Sequence, residues 1–261
     1  MDLGIKGKTA LVLGAGGGLG SAIAKSLAVE GAQVAVADIN KEAAEKTVAD
    51  IQVNGGSAMA VGWDLGDLSA VEPNLSLIEK QLGSVDILVN ITGGPPPTLV
   101  SGQGADSWRK YFDSMVLSVI AISDAVLPKM RAKKWGRIIT STSSGVVAPI
   151  PNLGLSNALR MSLLGWSKTL AGEVGQDGVT VNIVLPGRVA TQRIAFLDEQ
   201  KAKREGKAVE EVSAASTASI PVGRYGEPQE YADVVAFLVS ARASYLTGSV
   251  IRVDGGLITS I

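Results

Sequence analysis

The chain has 261 residues, 46% of them hydrophobic, and a formal net charge of -1 with no lysine- or arginine-rich run. That balance supports a sizeable core and lacks the basic footprint of a nucleic-acid binder, while the absence of cysteine and histidine excludes disulfides, thiolate nucleophiles, Cys- or His-based metal centres and the commonest general base. There is no run of 18 or more apolar residues and no signal-peptide pattern before Thr9, so neither a membrane partner nor export is expected and the chain reads as cytoplasmic.

The first apolar run, 9–13, reads as a strand, and the glycine-rich stretch Gly14-Ala15-Gly16-Gly17-Gly18-Leu19-Gly20 follows it and opens an amphipathic helix over 19–30. Gly14, Gly18 and Gly20 have GxxxGxG spacing. A chain turning from strand to helix beneath a pyrophosphate has no room for Cβ atoms, and a helix N-terminus offers free N–H groups and positive potential. The next strand, 33–37, ends at Asp38, 18 residues beyond Gly20. A carboxylate there suits the adenosine ribose hydroxyls. Its alternative is an N-cap for the helix that follows over 41–53. Asp38 would repel a 2′-phosphate, and neither Ile39 nor Asn40 compensates, so NAD(H) is expected in preference to NADP(H).

After the turn Asn54-Gly55-Gly56 come strands at 58–61 and 85–89. Gly93-Gly94 then leads into Pro95-Pro96-Pro97, a stiff segment without N–H donors that should border a pocket at the carboxyl end of the sheet; the alternative is a rigid surface linker. A long helix is expected over 105–132, a strand over 137–141 and a second long helix over 153–174. Pro149-Ile150-Pro151-Asn152 forms a further wall, with Asn152 expected to cap the second helix. Strands at 179–184 and 249–253 complete the set. Between them, residues 188–220 form an Ala/Ser-rich, charged excursion read as a substrate lid, with a plain surface helix as the alternative. Arg188 and Arg193 at its base are candidate contacts for an anionic substrate, with exposed lid charge as the favoured reading. Strands alternating with helices over 1–261, without repeat or linker, imply one α/β domain with a Rossmann-like, doubly wound parallel sheet.

Several segments together resemble the short-chain dehydrogenase/reductase superfamily, particularly its 3-oxoacyl-acyl-carrier-protein-reductase-like members. They are the Gly14–Gly20 loop, Asp64 after the third strand, Asn90-Ile91-Thr92-Gly93 where the family commonly has NNAG, Pro186-Gly187 with Thr191, and the closing stretch 223–256. The resemblance implies a seven-stranded sheet, a small-molecule substrate and a homo-oligomer, tetramer or dimer. It implies cofactor contacts at Gly14, Gly16, Gly18, Leu19, Gly20, Asp38, Asp64, Leu65, Asn90, Gly93, Pro186, Gly187 and Thr191. No metal constellation is visible.

The family's catalytic Asn, Ser, Tyr and Lys fall on Met115, Ser143, Ser156 and Arg160, so only Ser143 carries over. A phenol of pKa near ~10 beside a lysine is an effective acid. Serine is far weaker, and arginine stays protonated. Ser156 and Arg160, at i and i+4 on one helix face, could instead join Ser143 in a cluster suited to a carboxylate, phosphate or oxyanion. The alternative makes Arg160 a salt-bridged structural residue. Three functions follow in order: hydride transfer between NAD(H) and an alcohol or carbonyl through this atypical site; a lyase, isomerase or hydratase; and a non-catalytic NAD-binding subunit.

Overall fold

Strand β1 (Thr9–Leu13) is buried along its whole length. Ala10 and Val12 enter one apolar core while Leu11 and Leu13 enter another. Successive side chains of a strand point to opposite faces, so a strand that is apolar at every position requires a helical layer on both sides. The computed structural model, which describes residues 2–261, meets that requirement with seven strands in the order β3-β2-β1-β4-β5-β6-β7, all parallel.

The first half runs α1 (Gly18–Val29), β2 (Gln33–Asp38), α2 (Lys41–Val53), β3 (Ser57–Gly62), α3 (Val71–Leu82) and β4 (Ile87–Ile91). The second runs α4 (Ala105–Phe112), α5 (Ser118–Lys133), β5 (Gly136–Ser141), α6 (Gly154–Val174), β6 (Val179–Pro186), α7 (Gln192–Glu205), α8 (Val209–Ala218), α9 (Pro228–Leu238) and β7 (Val250–Val253). α1, α2 and α9 cover one face, and α3, α5 and α6 the other. Strand order reverses between β1 and β4, and the crevice at their carboxyl ends is where open α/β sheets take ligands.

Three expectations need correction. The apolar run expected to end at 89 continues in the ladder through Asn90 and Ile91, which pair with Thr140 and Ser141; Asn90 Nδ2 donates to Thr140 Oγ1 at 3.3 Å, so a polar residue is retained inside the sheet. The helix expected over 105–132 runs on to Lys133 and contains a π-helical turn, Asp113–Leu117. Ser114 Oγ and Ser118 Oγ donate to the carbonyls of Lys110 and Ser114, a back-bonding that bends helices.

Asn152 does not cap α6. It has φ +60, which asparagine tolerates, and its carbonyl accepts from Thr98 N at 2.7 Å; Leu153 takes the cap position without a side-chain bond. The excursion at 188–220 is two helices tied to their base by Asp198, buried, which accepts from Arg188 Nη1 at 2.7 Å and Tyr225 Oη at 2.6 Å.

The continuous helical run Ala105–Lys133 is long and apolar enough to cross a bilayer by length and composition, although its sequence contains no unbroken apolar stretch of that length. Its Met115, Val116, Val119, Ile122, Val126 and Met130 are buried in the two cores on that side of the sheet, so it packs as a core element of this domain.

Candidate active site

The glycine loop is shaped by its contacts. Gly14 has φ +61, and a Cβ there would lie 2.6 Å from the Ile91 carbonyl oxygen of β4. At Gly20 a Cβ would meet the Gly14 carbonyl oxygen at 2.2 Å, so α1 packs directly on the strand–helix turn. Thr191, the N-cap of α7, reaches the same loop: its Cγ2 would be 3.4 Å from a Cβ on Gly18. α1 has no side-chain N-cap and no acidic residue in its first turn, leaving its N-terminal amides and their positive potential open to an anion. Residues of this kind fit the diphosphate of a dinucleotide.

Asp38 is not the N-cap of α2; Asn40 is, accepting from Ala43 N at 3.1 Å. One Asp38 carboxylate oxygen accepts from Gly16 N at 2.9 Å and the other from Asn40 N at 2.9 Å. Each oxygen keeps a further acceptor site, enough for a diol. Asp64 is exposed and closes its own turn by accepting from Gly66 N at 2.8 Å, while Leu65 packs against the core beside it.

At the ends of the central strands, Asn90 is fully buried, and Asn90 Oδ1, Thr92 Oγ1 and Thr142 Oγ1 lack a hydrogen-bond partner among the described residues. Pro186 pairs with Val253 at the end of β6, and Gly187 lies against Asp254, whose Cα would be 2.5 Å from a Cβ there.

Arg160 is buried and makes no salt bridge among the described residues. Nη2 donates to the carbonyls of Gly93 (2.9 Å) and Thr92 (3.2 Å), and Nη1 to that of Ser141 (3.4 Å). Nε donates to Ser156 Oγ at 3.3 Å. The side chain therefore ties α6 to the ends of β4 and β5 through hydrogen bonds, not through the salt bridge offered as the alternative in the sequence. Burial, and then the charge of Arg193, hold its pKa down to about 10, still protonated at neutral pH.

Ser143 stands apart from this network: its Oγ accepts from Gly145 N at 3.0 Å, and among the described residues no hydrogen bond joins it to Ser156 or Arg160. Ser156 and Arg160 are thus directly bonded, and Ser143 belongs to a separate turn. Met115 is buried on the π turn with Val116 and Leu163, an apolar role.

The lid-base arginines are not exposed charge. Arg188 pairs with Asp198, and Arg193, half-buried, donates from Nη2 to Pro95 O at 2.8 Å. The proline loop is bonded through Thr98 to the 152–154 turn. Asn157 had no recognisable signal in the sequence. Its amide bonds Ile150 N and O, at 3.4 and 2.9 Å, and holds the segment between Ser143 and α6.

A family model described as enoyl-(acyl carrier protein) reductase matches residues 14–258. The chain is 37% identical over 258 residues to a 3-oxoacyl-acyl-carrier-protein reductase of Salmonella typhimurium, covering 98% of this chain and 99% of the relative. It is 36% identical over 249 residues to a short-chain reductase protein of Streptomyces niveus, covering 95% and 92%. L-sorbose reductase from Gluconobacter frateurii, solved with NADPH and L-sorbose, superposes with a TM-score of 0.94 at 28% identity over the full length of both chains.

Proposed function

We propose, from the premise that this chain belongs to the short-chain dehydrogenase/reductase family, that it is an oxidoreductase interconverting a carbonyl and an alcohol with NAD(H). The observation that carries the reading is the Asp38 carboxylate bonded to the Gly16 amide at 2.9 Å. It places an unneutralised negative charge on the glycine loop at the strand-order reversal, where a ribose diol is welcome and a 2′-phosphate is repelled. L-sorbose reductase is described with NADPH, so the NAD(H) preference rests on Asp38 and not on that neighbour.

When bound, the nicotinamide supplies or accepts the hydride. The chain's own part is to orient the substrate oxygen and stabilise charge on it. Ser156 Oγ accepts from Arg160 Nε, which leaves its own proton free to donate to that oxygen, and the buried guanidinium behind it favours developing negative charge. Serine is a weak acid, so this pair replaces the family's Tyr/Lys proton donor with hydrogen-bond stabilisation. General acid–base help is worth ~10²–10⁴ in rate, and a slow enzyme is expected. The buried Arg160 spends three of its four remaining N–H donors on backbone carbonyls, which weighs against a lyase or hydratase mechanism built on that cation.

A homo-oligomer belongs to the same reading, supported by the short edge strand β7 with its exposed Val250 and by the exposed Tyr245 and Leu246 that precede it in the chain. The direct test is single-turnover hydride transfer, followed as NADH absorbance over a panel of ketones, oxo acids and alcohols. Tight NADH binding with no transfer to or from any of them would sink the redox assignment.

A further inference from the structure

Two guanidinium groups converge on the loop Gly93-Gly94-Pro95. A Cβ on Gly94 would lie 3.3 Å from Arg193 Nη2 and 3.7 Å from Arg160 Nη2. Neither has a carboxylate within ion-pairing distance among the described residues. The contrast with Arg188, five residues earlier and paired to the buried Asp198, shows that this segment can supply a counter-charge where an arginine is structural.

Arg193 is held there against several costs. It is the second residue of α7, where the helix dipole is positive and the first turn carries no acid. It is half-buried, and desolvation lowers its pKa. Its charge also adds to the burial that lowers the pKa of Arg160. Its one hydrogen bond among the described residues is from Nη2 to Pro95 O, so Nε and Nη1 of a five-donor group have no partner. The Phe196 ring lies 5.7 Å away on one side, and Tyr111 of α4 is near enough to act on the charge.

We infer that Arg193, with Arg160 behind it, is a specificity-determining residue that binds the carboxylate of a small oxo acid or hydroxy acid at the Gly93–Gly94–Pro95 wall. The inference rests on the redox reading above and names its substrate class. A carboxylate supplies the missing counter-charge and matches the planar donor fork. Spacing favours a short acid: Arg160 touches Ser156 with Nε and approaches the Arg193 side of the loop with Nη2. The way from Ser156 to Arg193 thus passes one guanidinium and the Gly94 backbone, which suits a short-chain oxo acid such as a 3-oxo acid.

The test is calorimetric titration of acetoacetate and its neutral methyl ester into wild type, Arg193→Ala, Arg193→Gln and Arg193→Lys, each with and without NADH, with NADH affinity measured separately. The expected result is about tenfold tighter binding of the acid than the ester by wild type. Arg193→Ala and Arg193→Gln should lose that preference with ester binding unchanged, Arg193→Lys should keep part of it, and NADH affinity should hold in all three. Equal binding of acid and ester by wild type, or no binding of either at millimolar concentration, overturns the inference. So does a loss confined to NADH affinity, which would assign Arg193 to the cofactor phosphates. Failure of wild type to bind NADH while the acid preference persists would instead count against the redox reading alone. Urea midpoints of the variants show that each is folded.

Discussion

The Asp38 carboxylate accepts the Gly16 amide at 2.9 Å, tying the end of β2 to the glycine loop across the mouth of the nucleotide crevice. The same oxygen atoms would face a ribose diol. Asp38→Ala should weaken NADH binding by about tenfold to a hundredfold, since hydrogen bonds to a charged group are worth ~1.5–3 kcal/mol, and should narrow the gap between NADH and NADPH. Fluorescence titration with both cofactors checks this. An unchanged NADH-to-NADPH ratio would reduce Asp38 to a loop brace.

Gly20 leaves no room for a side chain, because a Cβ would sit 2.2 Å from the Gly14 carbonyl oxygen. Gly20→Ala must push α1 away from the turn that presents its N-terminal amides. We expect dinucleotide affinity to fall by more than tenfold, with a loss of stability of about 1–3 kcal/mol from overpacking. The two effects are read separately by titration and by urea unfolding.

Arg160 is a brace as well as a charge. Arg160→Ala would leave the carbonyls of Thr92, Gly93 and Ser141 without the donors they now have, at ~1–3 kcal/mol for each buried group left unpaired, partly offset by removing a buried charge. A net loss of about 2–4 kcal/mol in urea unfolding at neutral pH is expected. Arg160→Lys should recover only part of it, since an ammonium cannot span three carbonyls. Wild-type stability in Arg160→Ala would refute the brace.

Acid stability should show the Arg224–Glu230 pair. The two hydrogen bonds from Arg224, at 2.7 and 2.8 Å, and one from Glu227 N, at 2.7 Å, hold Glu230 down to about 2. Its folded pKa lies below its unfolded one, so its contribution is fully present above the ordinary glutamate value of about 4.3 and is lost as pH falls towards about 2. Glu230→Gln should therefore flatten the stability profile over that window and leave the profile above it parallel to wild type. Identical acid profiles for the two proteins would show that the exposed pair is screened into insignificance.

Much of the fold was legible because its signals are local. The run Thr9–Leu13 is apolar at every position, which a strand buried on both faces requires, and it forms β1 with the expected ends. The glycine spacing around Gly14 and Gly20 reflects clashes with the nearest turn. The misreadings arose where a residue answers to distant atoms. Asn90 looked like the end of an apolar run until Thr140 of the neighbouring strand became its partner. Asn152 looked like a helix cap, but its carbonyl is committed to Thr98. Arg188 and Arg193 looked like lid charge, and only the packing of α7 against Tyr225 and the proline loop buries them.

Sequence alone determined the doubly wound sheet, the strand–glycine–helix turn and the acidic residue at the end of β2, because periodicity and steric need at a turn are properties of neighbouring residues. Tertiary structure decided what Ser156 and Arg160 bond to. Arg160 meets Thr92 and Gly93 from 68 and 67 residues away, and Arg193 reaches Pro95 from 98. Hydrogen-bond partners that far apart are set by how α6 and α7 seat on the ends of β4 and β5, and no pattern along the chain encodes the angle at which they do so.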